Sequence, residues 1–446
     1  MEVSGITDWE EGLRISQEWR NGWLVVLTSV MGMGVIAAPA YSLGAFMVPF
    51  TAEFGWTHAQ IAGAISVTSL ISGAISPLSG HIVDRWGARK LALAGVIITC
   101  AAVTGFSRLQ GSILAYWVLW ALGAFGVGLA SPVVWTMAVA TRFKQSRGLA
   151  LSVVLCGTSL AGVLAPPLVM LLILHFGWRV AYLGLALYMF ISAFPLTVAF
   201  FYDARDLDNR APATELSRNS STPTRSLEGL TLGKAAKTAT FWLMAVSFFL
   251  AAVAILGVLV NLIPLLTSKG LPPMFAASAA SALSASALIG RVGGGFFMDR
   301  VFAPRIAAFA FTLPILACAG LLLFEIDVLG GFIVAIMFGL ALGAEVNMLS
   351  YLTSRYFGLR SYGVIYGAMY AIFSIGQALG PPLIGKMAQI SGDYRDALVL
   401  LAVCYFLSAA LLQLCGHYPD WSGPSAELEP PQATAGAIDG AVPEVV

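Results

Sequence analysis

Twelve long apolar runs separated by short polar loops constrain the fold of this 446-residue chain more than any other feature. An α-helix needs about 20 apolar residues to cross the hydrocarbon core of a bilayer. The runs therefore predict an all-α membrane protein with twelve transmembrane helices. Their predicted limits are residues 22–50, 58–79, 91–107, 112–140, 149–174, 180–202, 239–267, 274–298, 305–325, 329–353, 362–387 and 396–415.

The composition supports this interpretation and excludes several classes of function. Hydrophobic residues make up 58% of the chain and charged residues only 11%, whereas soluble domains are about 45–50% apolar. The net charge of +1, without any basic run, gives no indication of nucleic-acid binding. The five cysteines lie in apolar stretches without paired spacing, so no disulfide, metal site or other cofactor is predicted.

The predicted helices fall into two groups of six. The N-terminal half spans residues 22–202 and the C-terminal half residues 239–415, and a polar linker at 203–238 joins them. Residues 1–21 form a polar N-terminal segment, and residues 416–446 form a tail that we expect to be disordered. Most basic residues outside the spans fall on the side of the termini, which predicts that both termini are cytoplasmic. Because the first residues lack the features of a signal peptide, the inner membrane of a bacterium is the expected location.

A repeat relates the two halves. A shift of 215 residues aligns Gly80-x-x-x-Asp84-Arg85 with Gly295-x-x-x-Asp299-Arg300, and Pro166-Pro167-Leu168 with Pro381-Pro382-Leu383, in one register without a gap. Duplication into two six-helix halves is typical of secondary transporters, which bind their substrate near the midplane between the halves.

The loop after the second predicted span carries a family resemblance. Its sequence, Gly80-His-Ile-Val-Asp84-Arg85-Trp-Gly87-Ala-Arg89-Lys90, resembles the loop signature of the major facilitator superfamily. A carboxylate at a helix end can bond exposed N–H groups and a neighbouring arginine, and would hold the halves together on one side. The alternative is that these charges only fix topology and solvate the turn. The residues of the predicted gating motif are Gly80, Asp84, Arg85, Gly87, Arg89, Lys90, Gly295, Asp299 and Arg300.

A narrower resemblance is to bacterial members of the monocarboxylate transporter group. It rests on three stretches: 41–57, Asn261 to Gly270, and Gly290-Arg291-x-x-x-Gly295. In that group the arginine of the eighth span binds the substrate carboxylate, and this is what the resemblance implies for Arg291. Two departures stand out. Ala287 occupies the position of the group's proton-coupling aspartate, and no lysine occurs in the first span.

Arg291 also stands out without the resemblance. An arginine at the centre of a membrane helix costs about 2.5–3.5 kcal/mol on insertion scales, and such residues face a bundle interior or a cavity. The alternative is an arginine that extends along the lipid to the headgroups. Eight residues separate Arg291 from Asp299, or about 12 Å along a helix, which is a long way for such an extension.

Glu345 is the predicted proton-coupling residue. It lies eight residues before Thr353, so we expect it at the depth of Arg291. The hypothesis is that Glu345 neutralises Arg291 until a substrate carboxylate arrives, and then takes a proton. The alternative is a glutamate permanently hydrogen-bonded to backbone or tyrosine. If Glu345 does not serve, the substrate itself or another carboxylate must carry any coupled proton.

Four further side chains are candidates for substrate contact: Asn261, Tyr41, Tyr370 and Trp135. Asn261 precedes Pro264, which leaves the carbonyl of Val260 without its helical partner, so Asn261 has the alternative role of satisfying that backbone. For the aromatic residues, packing or an interfacial position is the competing interpretation.

Taken together, these features predict a monomeric secondary active transporter that moves a monocarboxylate by alternating access, with a proton. The competing functions are a carboxylate exchanger, a multidrug efflux antiporter and a non-transporting receptor. An enzyme is not expected, because His58, His81, His175 and His417 lie apart from one another and from any acid pair. The expected partners are the small carboxylate, H+ and the lipid bilayer.

Overall fold

The structure, a computed structural model, describes residues 2–202 and 228–419. Residues 203–227 of the predicted linker and 420–446 of the predicted tail lie outside the described residues. The helices are α1 (Glu2–Phe54), α2 (His58–Trp86), α3 (Ala88–Phe106), α4 (Ile113–Leu129), α5 (Pro132–Ala140), α6 (Arg147–Phe200), α7 (Leu232–Ala235), α8 (Ala239–Ser268), α9 (Pro273–Met298), α10 (Ala303–Leu323), α11 (Val328–Phe357), α12 (Tyr362–Ser391) and α13 (Arg395–Gln413).

The twelve predicted crossings map onto these helices. Ten helical segments of the described chain are long and apolar enough to span a bilayer. One of them, α6, contains Gly177 with non-helical φ 81°, which divides it into two helices. The remaining crossing is α2, which packs against α4 and α12. The predicted all-α fold is confirmed.

Two differences from the predicted limits concern helix ends. Helix α1 begins at Glu2, well before the apolar run that predicted it. Hydropathy marks where a helix enters lipid, and a helix can continue beyond that point into water. The fourth crossing is broken between α4 and α5, where Pro132 begins a new helix.

Backbone hydrogen bonds fix the end of the predicted linker, just before α7, against the C-terminal half. The N–H of Leu359 donates to the carbonyl of Glu228 (2.8 Å), and the N–H of Leu230 donates to the carbonyl of Phe357 (2.9 Å). This short bridge lies in the loop between α11 and α12. It holds the chain just before α7 against the start of α12.

Candidate functional site

The two halves meet along two helix pairs that the repeat relates, α2 with α12 and α6 with α9. In the first pair, Ser76 Oγ donates to the carbonyl of Gly367 across the interface (2.6 Å). The helices approach so closely that a Cβ added to Gly80 would lie 2.0 Å from the carbonyl oxygen of Gly363. Small residues permit this approach between membrane helices.

The second pair shows the same close packing. A Cβ added to Gly295 would lie 2.0 Å from Ser152 Oγ and 2.6 Å from the carbonyl oxygen of Gly148. Asn347 on α11 extends the contact, because its Nδ2 donates to Ser152 Oγ (2.8 Å) and to the carbonyl of Arg291 (2.8 Å). The backbone around Arg291 is thereby fixed against both α6 and α11.

A carboxylate closes each pair at the same end. Asp84 accepts hydrogen bonds from the N–H groups of Gly363 (3.0 Å) and Val364 (2.9 Å) at the start of α12. Asp299 accepts from the N–H groups of Gly148 (2.7 Å) and Leu149 (2.9 Å) at the start of α6. These N–H groups have no partner within their own helix, and the positive helix end favours a carboxylate. We call this end of the molecule the latch face.

The other residues of the predicted motif surround this face. Gly87 has φ 85° between α2 and α3, a conformation that favours glycine. Arg89 donates to the carbonyl of Val198 and lies over the ring of Tyr202. Arg300 lies over the ring of Phe296. The remaining two, Arg85 and Lys90, are exposed.

Arg291 lies at the α6–α9 interface, closer to the middle of the helices than the latch. It is 7% exposed. Its Nη1 donates to the carbonyl of Leu155 (2.7 Å), to Ser159 Oγ (2.9 Å) and to Thr158 Oγ1. All three acceptors belong to the N-terminal half, so this C-terminal side chain reaches across the interface. It does not extend along the lipid, which was the alternative.

The charge of Arg291 has no acidic partner in the described ranges. Its three acceptors are neutral, and no carboxylate of the described residues lies within salt-bridge distance of it. Its Nε is buried without a hydrogen-bond partner among those residues. A buried guanidinium bound only by neutral groups attracts anions strongly, and its planar fork matches a carboxylate.

Tyr41 is the predicted aromatic residue that the structure brings to Arg291. Its side chain is close enough to affect the guanidinium electrostatically, as is the half-buried Cys156. Tyr41 packs 3.1 Å from the position of a Cβ on Gly162, one turn beyond Thr158 on α6. Tyr41 is 48% exposed, unlike the buried Arg291.

Asn261 and Tyr370 lie in the C-terminal half. Asn261 Nδ2 donates to the carbonyls of Gly257 (2.9 Å) and Pro381 (3.3 Å). The asparagine thus satisfies backbone groups, as the alternative proposed, although not the carbonyl of Val260. Tyr370 is partly buried on α12 and its ring packs near that of Phe373 (5.9 Å). Neither residue hydrogen-bonds to Arg291 in the described part of the chain.

Trp135 is fully buried inside the N-terminal half. Its Nε1 donates to the carbonyl of Ala130 (2.8 Å), and its ring lies where a Cβ on Gly32 of α1 would be placed. A donor already used by backbone and a ring packed against α1 favour the packing interpretation. The structure does not bring Trp135 to the site.

Glu345 lies at the predicted depth but does not face Arg291. Gly343 contacts the backbone N of Arg291, which places this part of α11 level with it. Two residues advance a helix by about 200°, so Glu345 points to the opposite side. There it lies near Tyr405 of α13, and its two carboxylate oxygens have no hydrogen-bond partner in the described chain. The predicted ion pair with Arg291 is not formed.

The residues that sequence reasoning missed are Thr158 and Ser159. They occupy the middle of an apolar run and follow Leu155 by three and four residues, which puts all three on one face of α6. Two adjacent hydroxyls in a membrane span were a visible signal. Hydroxyls in membrane helices commonly bond to their own backbone, however, so the signal alone did not indicate a partner.

Comparison with known proteins agrees with this architecture. Residues 23–381 match the Major Facilitator Superfamily. Monocarboxylate transporter 13 of Bos taurus is 25% identical over 426 residues, covering 95% of each chain. Monocarboxylate transporter 12 of Xenopus laevis is 22% identical over 418 residues, covering 88% of each chain. The crystal structure of the transporter FucP in the outward conformation superposes with a TM-score of 0.69 at 15% identity, covering 88% of this chain and 98% of FucP. The chain is a membrane transporter that resembles the monocarboxylate transporters and belongs to the Major Facilitator Superfamily.

Proposed function

We propose that this protein is a secondary active transporter that moves a monocarboxylate by alternating access, with Arg291 as the carboxylate-binding residue. The observation that carries the proposal is a buried guanidinium at the interface between the halves, bound only by neutral oxygens of the N-terminal half. Tyr41 borders the site and Tyr370 and Asn261 are further candidates for contact with the organic part. The similarity to proteins named as monocarboxylate transporters supports this substrate class.

The orientation belongs to the same proposal. We place the protein in the inner membrane of a bacterium as a monomer, with both termini and the latch face in the cytoplasm. The contacts between the halves run from the middle of α2 and α9 to the latch. Because these contacts close the latch face, the substrate would enter from the other side.

The experiment is uptake of radiolabelled monocarboxylates into proteoliposomes. We expect uptake that is competed by other monocarboxylates and lost with Arg291→Lys, because an ammonium keeps the charge but loses the bidentate fork. Thr197→Ser is a matched control, since its hydroxyl bonds only to its own helix, at the carbonyl of Ala193. Transport of drug cations without any carboxylate would contradict the proposal, and binding without movement would indicate a receptor.

We further propose that a proton accompanies the carboxylate. A pH gradient, acidic on the side of entry, should accelerate net uptake if a proton accompanies the carboxylate. Glu345 was the predicted carrier of that proton, but it does not contact Arg291 among the described residues, so the substrate itself is the carrier we propose. The measurement is the initial uptake rate with and without the gradient at a clamped membrane potential.

Exchange of one carboxylate for another is the second candidate function. It is favoured by the absence of an acidic partner for Arg291 among the described residues. When the empty carrier changes state, the guanidinium is enclosed in the membrane interior without a counter-charge, whereas the loaded carrier has the substrate's carboxylate beside it. Preloading the vesicles with unlabelled carboxylate distinguishes the two: exchange requires the internal substrate, and proton-coupled net uptake does not.

A further inference from the structure

We infer that Thr158 and Ser159 are positioning residues that hold Arg291 ready for a carboxylate only while the latch face is closed. The inference rests on the proposed function. It assigns a substrate-orienting role to the N-terminal half, which otherwise contributes only Tyr41 to the site.

Helix α6 fixes the position of Nη1 of Arg291. Three oxygens on one face of α6 surround this nitrogen: the carbonyl of Leu155 (2.7 Å), Ser159 Oγ (2.9 Å) and Thr158 Oγ1. Thr158 also donates its own proton to the carbonyl of Leu155 (2.9 Å), so the hydroxyl is fixed as an acceptor for the arginine. One edge of the guanidinium is thereby held in place.

The other edge of the Arg291 guanidinium, formed by Nε and Nη2, makes no hydrogen bond to the described residues. Nε is buried and has no hydrogen-bond partner within the described residues, and no hydrogen bond of Nη2 accompanies those of Nη1. The Nε–Nη2 edge of an arginine is one of the two that can bind a carboxylate with two parallel hydrogen bonds. Holding Nη1 therefore leaves a bidentate edge oriented for the substrate.

The three oxygens that bind Nη1 carry no negative charge. Hydroxyl and carbonyl oxygens orient the guanidinium without neutralising it, so the full positive charge acts on the substrate. An acidic residue at the same position would compete with the substrate for the arginine. Rigid positioning of a binding group raises affinity because less freedom is lost when the ligand binds.

These bonds to Nη1 belong to the state of the carrier in which the latch face is closed. Arg291 belongs to α9 and its three acceptors to α6, and the two helices are joined at the latch by Asp299. Opening of the latch face must separate α6 from α9. The bonds to Nη1 break in the same movement, and the arginine then loses its orientation.

The experiment compares affinity on the two faces of the membrane. The double variant Thr158→Val, Ser159→Ala is assayed in right-side-out and inside-out vesicles, with the labelled monocarboxylate that the wild type transports best. We expect KM to rise about tenfold for entry at the face opposite the latch, since hydrogen bonds to charged groups contribute a factor of this order. KM for entry at the latch face should stay within about twofold, because the hydroxyls do not touch Arg291 in that state.

Two controls keep the test falsifiable. A variant with Ser at position 158 (Thr158→Ser) keeps the hydroxyl that Thr158→Val removes. It should therefore have most of the wild-type affinity for the carboxylate, which a purely structural role would not predict. Ser76→Ala removes the corresponding bond across the α2–α12 interface and should leave both KM values unchanged. An unchanged or lowered KM at both faces, or an equal rise at both, would overturn the inference. Failure of the proposed function would look different, because the wild type would then move no carboxylate.

Discussion

The two interfaces between the halves are related by the repeat, yet they differ at one position. At the α2–α12 interface Ser76 donates to the carbonyl of Gly367 (2.6 Å). At the α6–α9 interface the corresponding residue is Arg291, which donates to the carbonyl of Leu155 (2.7 Å). Both side chains cross to a carbonyl of the opposite half, so the duplicated architecture accounts for the bond. It does not account for the charge.

The difference separates mechanical from chemical features of the protein. Close glycine contacts and a carboxylate at a helix start recur in both interfaces, as expected of parts that open and close. The arginine and the adjacent hydroxyls of Thr158 and Ser159 occur at one interface. The position of Ser159 corresponds to Ser374, which packs against Gly73 and accepts no hydrogen bond from an arginine of the described residues. The substrate-binding chemistry is therefore expected on the α6–α9 side.

The largest effect on uptake should come from replacing Arg291, the residue that distinguishes the two interfaces. Arg291→Gln should lower the rate of carboxylate uptake by about 100-fold, because a bidentate charged contact contributes roughly 3 kcal/mol. Ser76→Ala should change it by less than about twofold, since a neutral hydrogen bond contributes little net free energy. The measurement is initial uptake at equal amounts of inserted protein. Equal losses in the two variants would remove the proposed distinction between the interfaces.

The next effect concerns close packing. Gly80→Ala places a methyl group against the backbone of Gly363, whereas Gly295→Ala meets the side chain of Ser152 first. We expect both to destabilise the closed state by about 1–3 kcal/mol, as overpacking does. Adding Ser152→Gly should recover part of the loss at Gly295, and the recovery should be incomplete because Gly148 remains. The measurement is Tm in detergent, with Ser152→Gly alone as the control. Full stability of Gly80→Ala would contradict the closed contact.

A smaller effect concerns pH at the latch. Burial raises the pKa of Asp299, opposed by its hydrogen bonds from Leu149 and Gly148. The folded protein therefore binds this proton more tightly than the unfolded chain. The linked stabilisation is complete below the unfolded pKa and is lost as pH rises through the folded pKa. We expect the Tm of the wild type to fall relative to that of Asp299→Asn as the pH rises from about 4 through the folded pKa of Asp299. A Tm difference that does not change with pH would contradict this assignment.

The smallest effect is expected for Glu345→Gln. The amide has the shape of a protonated carboxyl, and an unpartnered buried carboxyl is stable only as the neutral acid. Uptake should therefore stay within about twofold of the wild type, and its pH dependence should be unchanged. The measurement is the pH profile of uptake. A flattened or shifted profile would instead give Glu345 the coupling role that its position in the sequence suggested.

The sequence by itself determined the elements and their duplication. Apolar length predicted twelve crossings, since a bilayer leaves few ways to satisfy a backbone. The repeat predicted that Asp84 and Asp299 would serve equivalent helix ends, because both lie in the same motif. Arg291 could be singled out because a charge in a membrane helix is costly enough to be informative.

Only the tertiary structure decided which side chains face one another. The depth of Glu345 followed from residue counts, but its direction depends on the rotation of α11 against α9, and that is set by contacts such as Gly343 with Arg291. The partners Thr158 and Ser159 lie more than 130 residues from Arg291 in sequence. No local pattern encodes such a pairing, since it arises from the close approach of two helices whose small residues fit together. The sequence thus identified the charge, and the packing of the halves determined what holds it.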